Sequence, residues 1–400
     1  MTVRRLSIFL PRDTEFYSAL LEQMKRGFAA CGIDCSGALS HPNAEEMKDW
    51  CALRRPQVVF EMNRCRRDVP YLPPGVRHVV WLVDLGGRRT DYFEGSDITY
   101  FFGPAWAPGF SRAGFRRCLV PGACPVDYAP AEREPSIELG FVGHVPKPWS
   151  AVELDRDLTA TPGELSLAEF LPEFEREIRT IWDPPRIPLE YLSEELTSER
   201  RAPSAFSSRW RTATVARNLV KRMRGAELVI SDEKMRYDLF ARVIRHVNRG
   251  DLAHAMVKTG RRVGFFGPEQ WRLWPAFAPF YRGWLSGPAA MRRTYASTRF
   301  NLHEGEGVHF RSMDILSTGS ILVFRKTNRD RTPGGIASLF EPGEHYIECK
   351  LDNLSETIAA ASENPDSLAR MGREVAGAVR RRHTWHHRAR EILHDLDQIA

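Results

Sequence analysis

The sequence predicts an α/β protein built from two Rossmann-like domains that face each other across a cleft, with a helical insertion in the C-terminal half. Short apolar segments alternate with longer amphipathic ones, as in parallel sheets that are covered by helices on both faces. A stretch rich in proline and acidic residues at 121–135 interrupts this alternation. The apolar segment ELGFVG at 138–143 then restarts it, and 400 residues suffice for two or three domains.

The N-terminal domain, predicted for residues 1–130, opens with a strand–helix pattern. Asp13 is the expected N-cap of the first helix, and Gly32 is expected to end that helix. The predicted strands lie at residues 6–10, 57–61, 78–83 and 98–102, and the predicted helices at 14–30 and 44–53.

The C-terminal domain is predicted for residues 137–375. Residues from about 151 to 260 are rich in Glu, Arg and Leu and poor in strand signals, so we expect the helical insertion there, with an irregular middle near 182–188. The predicted strands lie at 138–143, 262–267, 300–303 and 321–324, the last two being separated by a helix. The tail from residue 354 is expected to be helical, with a break near 381–384.

Composition excludes several classes of protein. Hydrophobic residues make up 42% of the chain and charged residues 27%, which is ordinary for a globular protein. No segment approaches the ~18 apolar residues of a membrane span, and the apolar run after Arg5 is too short for a signal peptide. We therefore expect a cytoplasmic protein. The net charge of +6 reflects either compositional drift or an anionic partner, such as a phosphate compound or a peripherally contacted membrane. No zinc finger or basic stripe indicates nucleic acid.

Metal-ligand patterns are weak. The seven cysteines are scattered, and the closest pair, Cys31 and Cys35, has no second pair beside it. This favours reduced thiols over a zinc site. The histidines at 383, 386 and 387 have no acidic partner nearby, so we expect no bound metal.

The most informative stretch is NLHEGEGVHFRSMDILSTG at 301–319. It leaves a predicted strand, passes through a turn that contains Gly305 and Gly307, and enters a helix. Glycines allow the backbone to approach a ligand closely, and the N–H groups at a helix start suit a diphosphate. This pattern predicts a site for a phosphorylated ligand, although a single glycine-rich turn is common.

The predicted helix after this turn carries a polar face. Arg311, Asp314 and Thr318 share that face, which we expect to point away from the core, and the opposite face is apolar (Phe310, Met313 and Leu316). Asp314 is placed to accept hydrogen bonds from ribose hydroxyls. Glu306 precedes Asp314 by eight positions, up to about 12 Å along a helix, which suits two ends of one extended ligand better than a shared metal. The alternative is a surface Arg–Asp pair on an ordinary helix.

Four groups of residues, in this order, point to a known family. They are WLVD at 81–84; LVPGACPVDY at 119–128 followed by LGFVGH at 139–144; YASTRFNLH at 295–303 with R-x-x-D at 311–314 and STGSILV at 317–323; and LFEPGEHYIEC at 339–349 before HTWHHRA at 383–389. Together they resemble the GT-B glycosyltransferases, in the branch related to spore-maturation (CgeB-like) proteins. The resemblance spans nearly the whole chain.

The resemblance implies a hexosyltransferase-like enzyme that moves a sugar from a nucleoside-diphosphate sugar to an acceptor hydroxyl, without a metal or other cofactor. The acceptor class stays open: a glycan, a lipid-linked glycan, a protein or a small molecule. Glu306 and Asp314 would occupy the positions of the family's acidic pair, of which the second acid holds the ribose. This chain has Asp where Glu is usual. The last helix, 376–400, would cross back to the N-terminal domain.

Such a transfer develops negative charge on the leaving phosphate, which basic side chains and helix dipoles can stabilise. Arg311 and the amides near Gly307 are the first candidates, and Lys147 is the second unless it is simply solvated. His303 contacts the donor or is a structural histidine. The remaining donor-site candidates lie at predicted strand ends or in the glycine turn (Gly143, His144, Gly267 and Gly305).

If the reaction inverts configuration, a base must take the proton of the acceptor hydroxyl. Asp84 and Asp13 are the candidates from the N-terminal domain, and Glu306 is the catalytic candidate on the donor side. Glu61 ends another predicted strand. Asp84 has an alternative role as the N-cap of a helix at 85–89.

Two other functions fit parts of the pattern. The first is a non-catalytic protein of the same fold that binds a sugar nucleotide or a glycan, since Asp314 departs from the family. The second is an NAD-dependent oxidoreductase, because Rossmann-like domains are common in that class. Against the second, the turn at 11–16 lacks the G-x-G-x-x-G pattern that cradles pyrophosphate.

Overall fold

The computed structural model describes residues 3–84, 88, 92–103, 114–123, 135–182, 208–305, 307–327 and 330–399. Two six-stranded parallel sheets organise the chain, one built from its N-terminal third and the other from the remainder. This confirms the predicted α/β fold with two Rossmann-like sheets. Within the described ranges, no helix is both long and apolar enough to cross a bilayer.

The N-terminal sheet has the strand order β2-β1-β3-β4-β5-β6. Its strands are β1 (Arg5–Phe9), β2 (Asp34–Ala38), β3 (Val58–Met62), β4 (Arg77–Leu82), β5 (Ile98–Phe101) and β6 (Phe115–Cys118). Helices α1 (Glu15–Ala29) and α2 (Ala44–Arg54) connect the first three strands. The central strands are buried along their length, because a parallel sheet is covered on both faces.

The C-terminal sheet has the order β12-β11-β10-β7-β8-β9. Its strands are β7 (Ile137–Val142), β8 (Val263–Phe266), β9 (Tyr281–Gly283), β10 (Thr298–His303), β11 (Leu322–Arg325) and β12 (Ile347–Cys349). Between β10 and β11 lies helix α9 (Phe310–Ser317), and before β10 lies α8 (Gly287–Ala296). The chain ends with α10 (Leu354–Ser362), α11 (Pro365–Arg382) and α12 (Trp385–Gln398).

The helices between β7 and β8 share an apolar cluster of their own. They are α3 (Ala151–Leu154), α4 (Leu167–Trp182), α5 (Ser208–Arg224), α6 (Glu233–Tyr237) and α7 (Val243–Lys258), with a π-helical turn at Asp238–Arg242 joining the last two. Phe170, Phe174 and Leu219 are central members of the cluster. The segment therefore buries apolar surface independently of the sheet, while α7 returns to the sheet and brings polar side chains to its edge.

The contacts that join the halves of the molecule include a helix pair and an aromatic cluster. Helix α12 packs on α1, and the fit is tight, since a Cβ on Gly27 would lie 2.6 Å from the Trp385 carbonyl oxygen. Phe310, at the start of α9, lies with its ring 5.1 Å from Phe16 and 5.3 Å from Phe102, both in the N-terminal half. These contacts hold the carboxyl edges of the two sheets towards one cleft.

Local details differ from the sequence predictions. Thr14, not Asp13, is the N-cap of α1, because Thr14 has the extended backbone and its Oγ1 accepts from Tyr17 N–H at 3.3 Å. Strands β2 and β6 were not predicted, since DCSGA and FRRC lack apolar runs. The short strands β9 and β12 were also missed.

Candidate active site

Each sheet contains one point where the strand order reverses. In the N-terminal sheet this point lies between β1 and β3, and in the C-terminal sheet between β7 and β10. Ligands of open parallel sheets bind in the crevice beyond the carboxyl ends of the strands at such points. We name them the N-terminal and C-terminal switch points. Both carry polar side chains.

Glycines let the strand ends meet at the C-terminal switch point. Gly143 follows β7, and Gly267 follows β8 with φ near +143°. A Cβ on Gly267 would lie 2.1 Å from the Gly143 carbonyl oxygen, so a side chain does not fit there. That carbonyl accepts from Trp271 Nε1 at 2.9 Å. The two glycines thus have a packing role in the free protein, besides any contact with a donor.

A buried ion cluster occupies the C-terminal switch point. Glu304 follows β10 and is only 5% exposed. Its Oε1 accepts from Arg249 Nε at 2.7 Å and from Arg311 Nη2 at 2.5 Å. The guanidinium groups are fixed further by the carbonyls of His144 and Val142, at 3.0 and 2.7 Å. Residues from two strand ends and from helices α7 and α9 therefore converge on one carboxylate.

The cluster carries a net positive charge. Burial tends to raise the pKa of Glu304, but Arg311 and Arg249 hold it well below its usual value, so the carboxylate is ionised. Burial, together with the nearby arginines, lowers the pKa of His144 and of His303 to about 3 each, so both imidazoles are neutral at pH 7. Two guanidinium groups therefore face one carboxylate, which leaves one positive charge beneath the strand ends and favours an anionic ligand.

His303 and Glu304 carry unused hydrogen-bonding atoms. The His303 ring stacks on Phe324 with centroids 5.1 Å apart, and its Nδ1 accepts from Gly305 N–H at 3.2 Å. The ring proton is therefore on Nε2. Nε2 of His303 and Oε2 of Glu304 are buried and have no hydrogen-bond partner among the described residues. Such orphaned polar atoms are rare and call for a ligand or water.

The glycine turn lies beside this cluster. Gly305 and Gly307 have φ of 89° and 90°, a region that favours glycine. A Cβ on Gly305 would lie 2.8 Å from the Arg325 carbonyl oxygen. Glu306 lies outside the described residues, so its predicted role stays a prediction. Lys147 is exposed on the segment after β7, and its role is likewise open.

Helix α9 differs from its predicted orientation. Phe310, Met313 and Leu316 are buried as expected. Arg311 is buried too, so the prediction that its face points out of the core is wrong for this residue: the ion pair with Glu304 draws it inward. The start of the helix is also capped from within the chain, since His309 Nδ1 accepts from Arg311 N–H at 3.3 Å. Gly305 and Gly307 are both buried, and the Gly305 N–H already donates to His303 Nδ1, so the Gly307 amide is the remaining candidate of this turn for an anion.

Asp314 lies further along α9, partly buried near α8. Burial raises its pKa to about 7, although Arg292 acts in the opposite direction. Its carboxyl group forms no hydrogen bond with a described residue. Strongly shifted pKa values are more frequent at functional sites than elsewhere.

An open cavity of about 530 Å³ lies at the N-terminal switch point. Its walls are mostly charged or polar and come from the segments after β1, β2, β3 and β4. The lining residues are Pro11, Arg12, Tyr17, His41, Asn63, Arg64, Asp68, Asp84 and Arg88.

Asp84 is the lining residue that reaches the other switch point. The Oδ1 atom of Asn63 accepts from the backbone N–H groups of Val83 and Asp84, at 2.7 and 2.8 Å, which fixes the end of β4. The Asp84 side chain stays 45% exposed, and its Oδ2 lies 3.8 Å from Arg245 Nη2 on α7. The proposed base and the basic C-terminal site thus meet across the cleft. The segment that Asp84 would cap lies largely outside the described residues.

The other acidic candidates are placed less favourably. Asp13 is exposed and does not line the cavity. Glu61 is fully buried, and its oxygens pair with His78 Nε2 at 2.9 Å and Arg64 Nη1 at 3.4 Å. The possibility that Glu61 faces an acceptor is therefore wrong, because the side chain of the last-but-one residue of β3 points into the sheet's packed face.

Several site residues escaped the sequence analysis. Glu304 stood in the informative stretch, as the first acid of HEGEG, and that position was its only signal. Arg249 and Arg245 lie about 55 positions before it, inside a helical segment with no motif. Asn63 carries a signal visible only in the backbone, a left-handed φ of 62°.

The described ranges contain no cluster of three His, Cys, Asp or Glu side chains arranged to hold a metal ion. The His383 Nδ1 atom pairs with Arg388 at 3.0 Å, and His387 Nδ1 pairs with the Thr384 hydroxyl at 2.8 Å. These histidines thus bond to groups within the C-terminal segment.

Comparison with known proteins gives one family and one fold. Residues 245–394 match the family described as glycosyl transferase-like. No sequence among the curated proteins matches this chain. The matched segment begins at Arg245 and includes Arg249, Glu304, Arg311 and Asp314, which are the residues of the C-terminal switch point.

Solved structures of glycosyltransferases resemble the whole chain. Sucrose-phosphate synthase from Thermosynechococcus elongatus aligns over 99% of both chains with a TM-score of 0.50 and 10% identity. AviGT4, a glycosyltransferase involved in avilamycin A biosynthesis, aligns over 99% of this chain and 98% of its own, with a TM-score of 0.48 and 12% identity. At such identity the similarity concerns the fold. The protein thus has the two-sheet GT-B fold, and the part that forms its C-terminal switch point is similar to the glycosyl transferase-like family.

Proposed function

We propose that this protein transfers a sugar, of the hexose type, from a nucleoside-diphosphate sugar to an acceptor hydroxyl, without a metal ion or other cofactor. One observation carries the proposal: Asp84, at the edge of an open polar cavity, lies 3.8 Å from Arg245, beside a buried cluster of net positive charge. A base and a site for a leaving diphosphate are the two parts that such a transfer requires.

The residues divide the reaction between them. Arg249, Arg311 and the amide of Gly307 bind the diphosphate, and Asp314 accepts from the ribose hydroxyls. The acceptor enters the cavity of the N-terminal switch point, where Asp84 takes the proton of its hydroxyl. The acceptor oxygen forms a bond to the anomeric carbon as the bond to the diphosphate breaks. The cluster stabilises the negative charge that leaves with the nucleotide.

Absence of a metal requirement is part of the proposal. The support is that positive side chains already stand where a cation would neutralise the leaving group. Arg245 adds a third guanidinium at the cleft, within reach of Asp84. The subtype related to spore-maturation proteins and a cytoplasmic location also belong to the proposal.

A donor screen tests the function. Thermal shift against UDP-, GDP-, dTDP- and ADP-sugars identifies the nucleotide, and nucleoside diphosphate release then measures hydrolysis or transfer. We expect one donor to raise the melting temperature and to turn over, with the same rate in EDTA. If a donor binds tightly but is not turned over, whichever class of acceptor is added, the protein would instead be a non-catalytic sugar-nucleotide binding protein. Loss of all activity in EDTA would contradict the metal-free mechanism.

A further inference from the structure

We infer that Glu304 and His303 form a two-point site for one hydroxyl group of the donor sugar. The inference rests on the proposed function and identifies what recognises the sugar, as distinct from the nucleotide. The family resemblance concerns Glu306 and Asp314, and it implies no role for Glu304 as a contact of the sugar.

The two unused atoms complement each other. Glu304 Oε2 is a charged acceptor, and His303 Nε2 carries a proton, because Nδ1 already accepts from Gly305 N–H. Oε2 lies 3.8 Å from Nδ1, the other nitrogen of this imidazole, so the acceptor lies beside the ring that carries the donor. A hydroxyl group both donates and accepts, whereas a phosphate oxygen only accepts. The pair therefore matches a hydroxyl, and an anion would be repelled by the carboxylate.

The other oxygen of Glu304 explains why the carboxylate is held rigidly. Oε1 accepts from both Arg249 and Arg311, so rotation of the carboxyl group would break two charge-assisted hydrogen bonds. The His303 ring is fixed in turn by its stack on Phe324. Both atoms are thus oriented before the ligand arrives, which lowers the entropy cost of binding.

Position links this pair to the sugar. The arginines that bind Oε1 are those proposed to bind the diphosphate, and the sugar is joined directly to that group. The residue after Glu304 is Gly305, where the backbone turns with φ of 89°. A hydroxyl of the sugar ring next to the diphosphate therefore reaches Oε2 while the phosphates contact the arginines.

The test compares a sugar nucleotide with its free nucleotide. The probes are UDP and UDP-glucose, or the corresponding pair for the base found in the donor screen, measured by calorimetry. In Glu304→Gln the amide keeps one oxygen for the arginines and places an NH₂ group where Oε2 was. We expect affinity for the sugar nucleotide to fall about 10- to 100-fold, as for a lost hydrogen bond to a charged group. Affinity for the free nucleotide should stay equal or rise, because one negative charge is removed.

Deoxy analogues of the donor sugar probe the recognised hydroxyl on the wild-type protein itself. Wild-type protein should bind the analogue that lacks the recognised hydroxyl as weakly as Glu304→Gln binds the intact donor, and the variant should not distinguish the two. His303→Phe, which keeps the stack on Phe324, should show a smaller loss in the same direction. The control is Glu138→Gln, which weakens an ion pair with Arg261. Glu138 lies near the start of β7, at the end of the strand that is remote from the site.

Two results would overturn the inference. Equal weakening of free nucleotide and sugar nucleotide in Glu304→Gln would show a role only as counterion of the arginines. Wild-type affinity that is unaffected by every deoxy analogue would show that the two atoms are bridged by water. If no nucleotide or sugar nucleotide binds the wild-type protein, the proposed function itself fails, which is a distinct outcome.

Discussion

The two switch points share one topology but hold their charges differently. At the C-terminal point, Glu304, Arg249 and Arg311 are buried and bonded to one another. At the N-terminal point, Asp84 remains nearly half exposed and approaches Arg245 only to 3.8 Å. The buried cluster is preorganised, and substitutions in it are expected to lower stability. Substitutions in the lining of the open cavity are expected to cost less stability. This difference fits the proposed roles, a constant ligand group at the C-terminal switch point and a variable one at the N-terminal switch point.

The largest expected effect comes from the open site. In Asp84→Asn the acceptor hydroxyl loses its base, and we expect turnover to fall by about 10²- to 10⁴-fold. The free energy of unfolding should change by less than about 1 kcal/mol, because the pair with Arg245 is exposed and long. Initial-rate kinetics and urea unfolding measure the two quantities.

Asp13→Asn separates the two candidate bases. Asp13 is exposed and outside the cavity lining, so its variant should retain turnover. A strong loss in Asp13→Asn with an active Asp84→Asn would move the base to Asp13.

Next in size is the effect of breaking the buried cluster. Arg311→Met leaves Glu304 with a single guanidinium and the Val142 carbonyl without its donor, so we expect the free energy of unfolding to fall by about 3 to 5 kcal/mol. Arg245→Met removes a cation of the cleft that is not buried, and should cost about 1 kcal/mol or less. Urea unfolding of both variants checks the contrast. Equal losses would mean that the two switch points do not differ in the way described.

The last expected effect is a pH dependence at Asp314. Burial raises its pKa to about 7, above the ordinary value of 3.8. The folded protein thus retains a proton that the unfolded chain releases, so this group's contribution to stability is present below about pH 4 and is lost as the pH rises through 7. Asp314→Asn should flatten that slope in melting experiments between pH 4 and 8.

Donor binding should show the opposite trend. If ionised Asp314 accepts from the ribose, affinity for a sugar nucleotide should rise by up to about tenfold from pH 6 to pH 8, as the ionised fraction grows. The sugar nucleotide is the suitable probe, because its diphosphate has no terminal group that titrates in this range. A flat profile in the wild-type protein would remove Asp314 from the ribose site.

The sequence allowed the fold to be predicted where burial leaves a simple pattern. The strands at 58–62, 77–82 and 263–266 are almost entirely buried and consist mostly of apolar residues, and all were expected. Strand β2 is an edge strand with the sequence DCSGA, so its pairing depends on neighbours and not on its own hydrophobicity.

The site was predictable only in part, for a physical reason. The glycine turn and Asp314 lie in one continuous stretch, where spacing carries information. The ion cluster joins residues 249, 304 and 311 across a strand end and two helices, and a charge alone does not reveal its partner. Arg311 was therefore expected to face outward, although Glu304, seven positions earlier, draws it inward.

Phe310 links the proposed donor site to the N-terminal half of the molecule. Its ring is inserted among Phe16, Trp81 and Phe102, while the next residue along the helix, Arg311, holds Glu304. Withdrawing such a ring into water costs about 2 kcal/mol, so this ring alone limits a separated arrangement of the two halves to at most about 3% of the molecules. With the donor bound as proposed, hinge motion and donor affinity are thermodynamically linked, and a ligand that widens the cleft is expected to weaken donor binding.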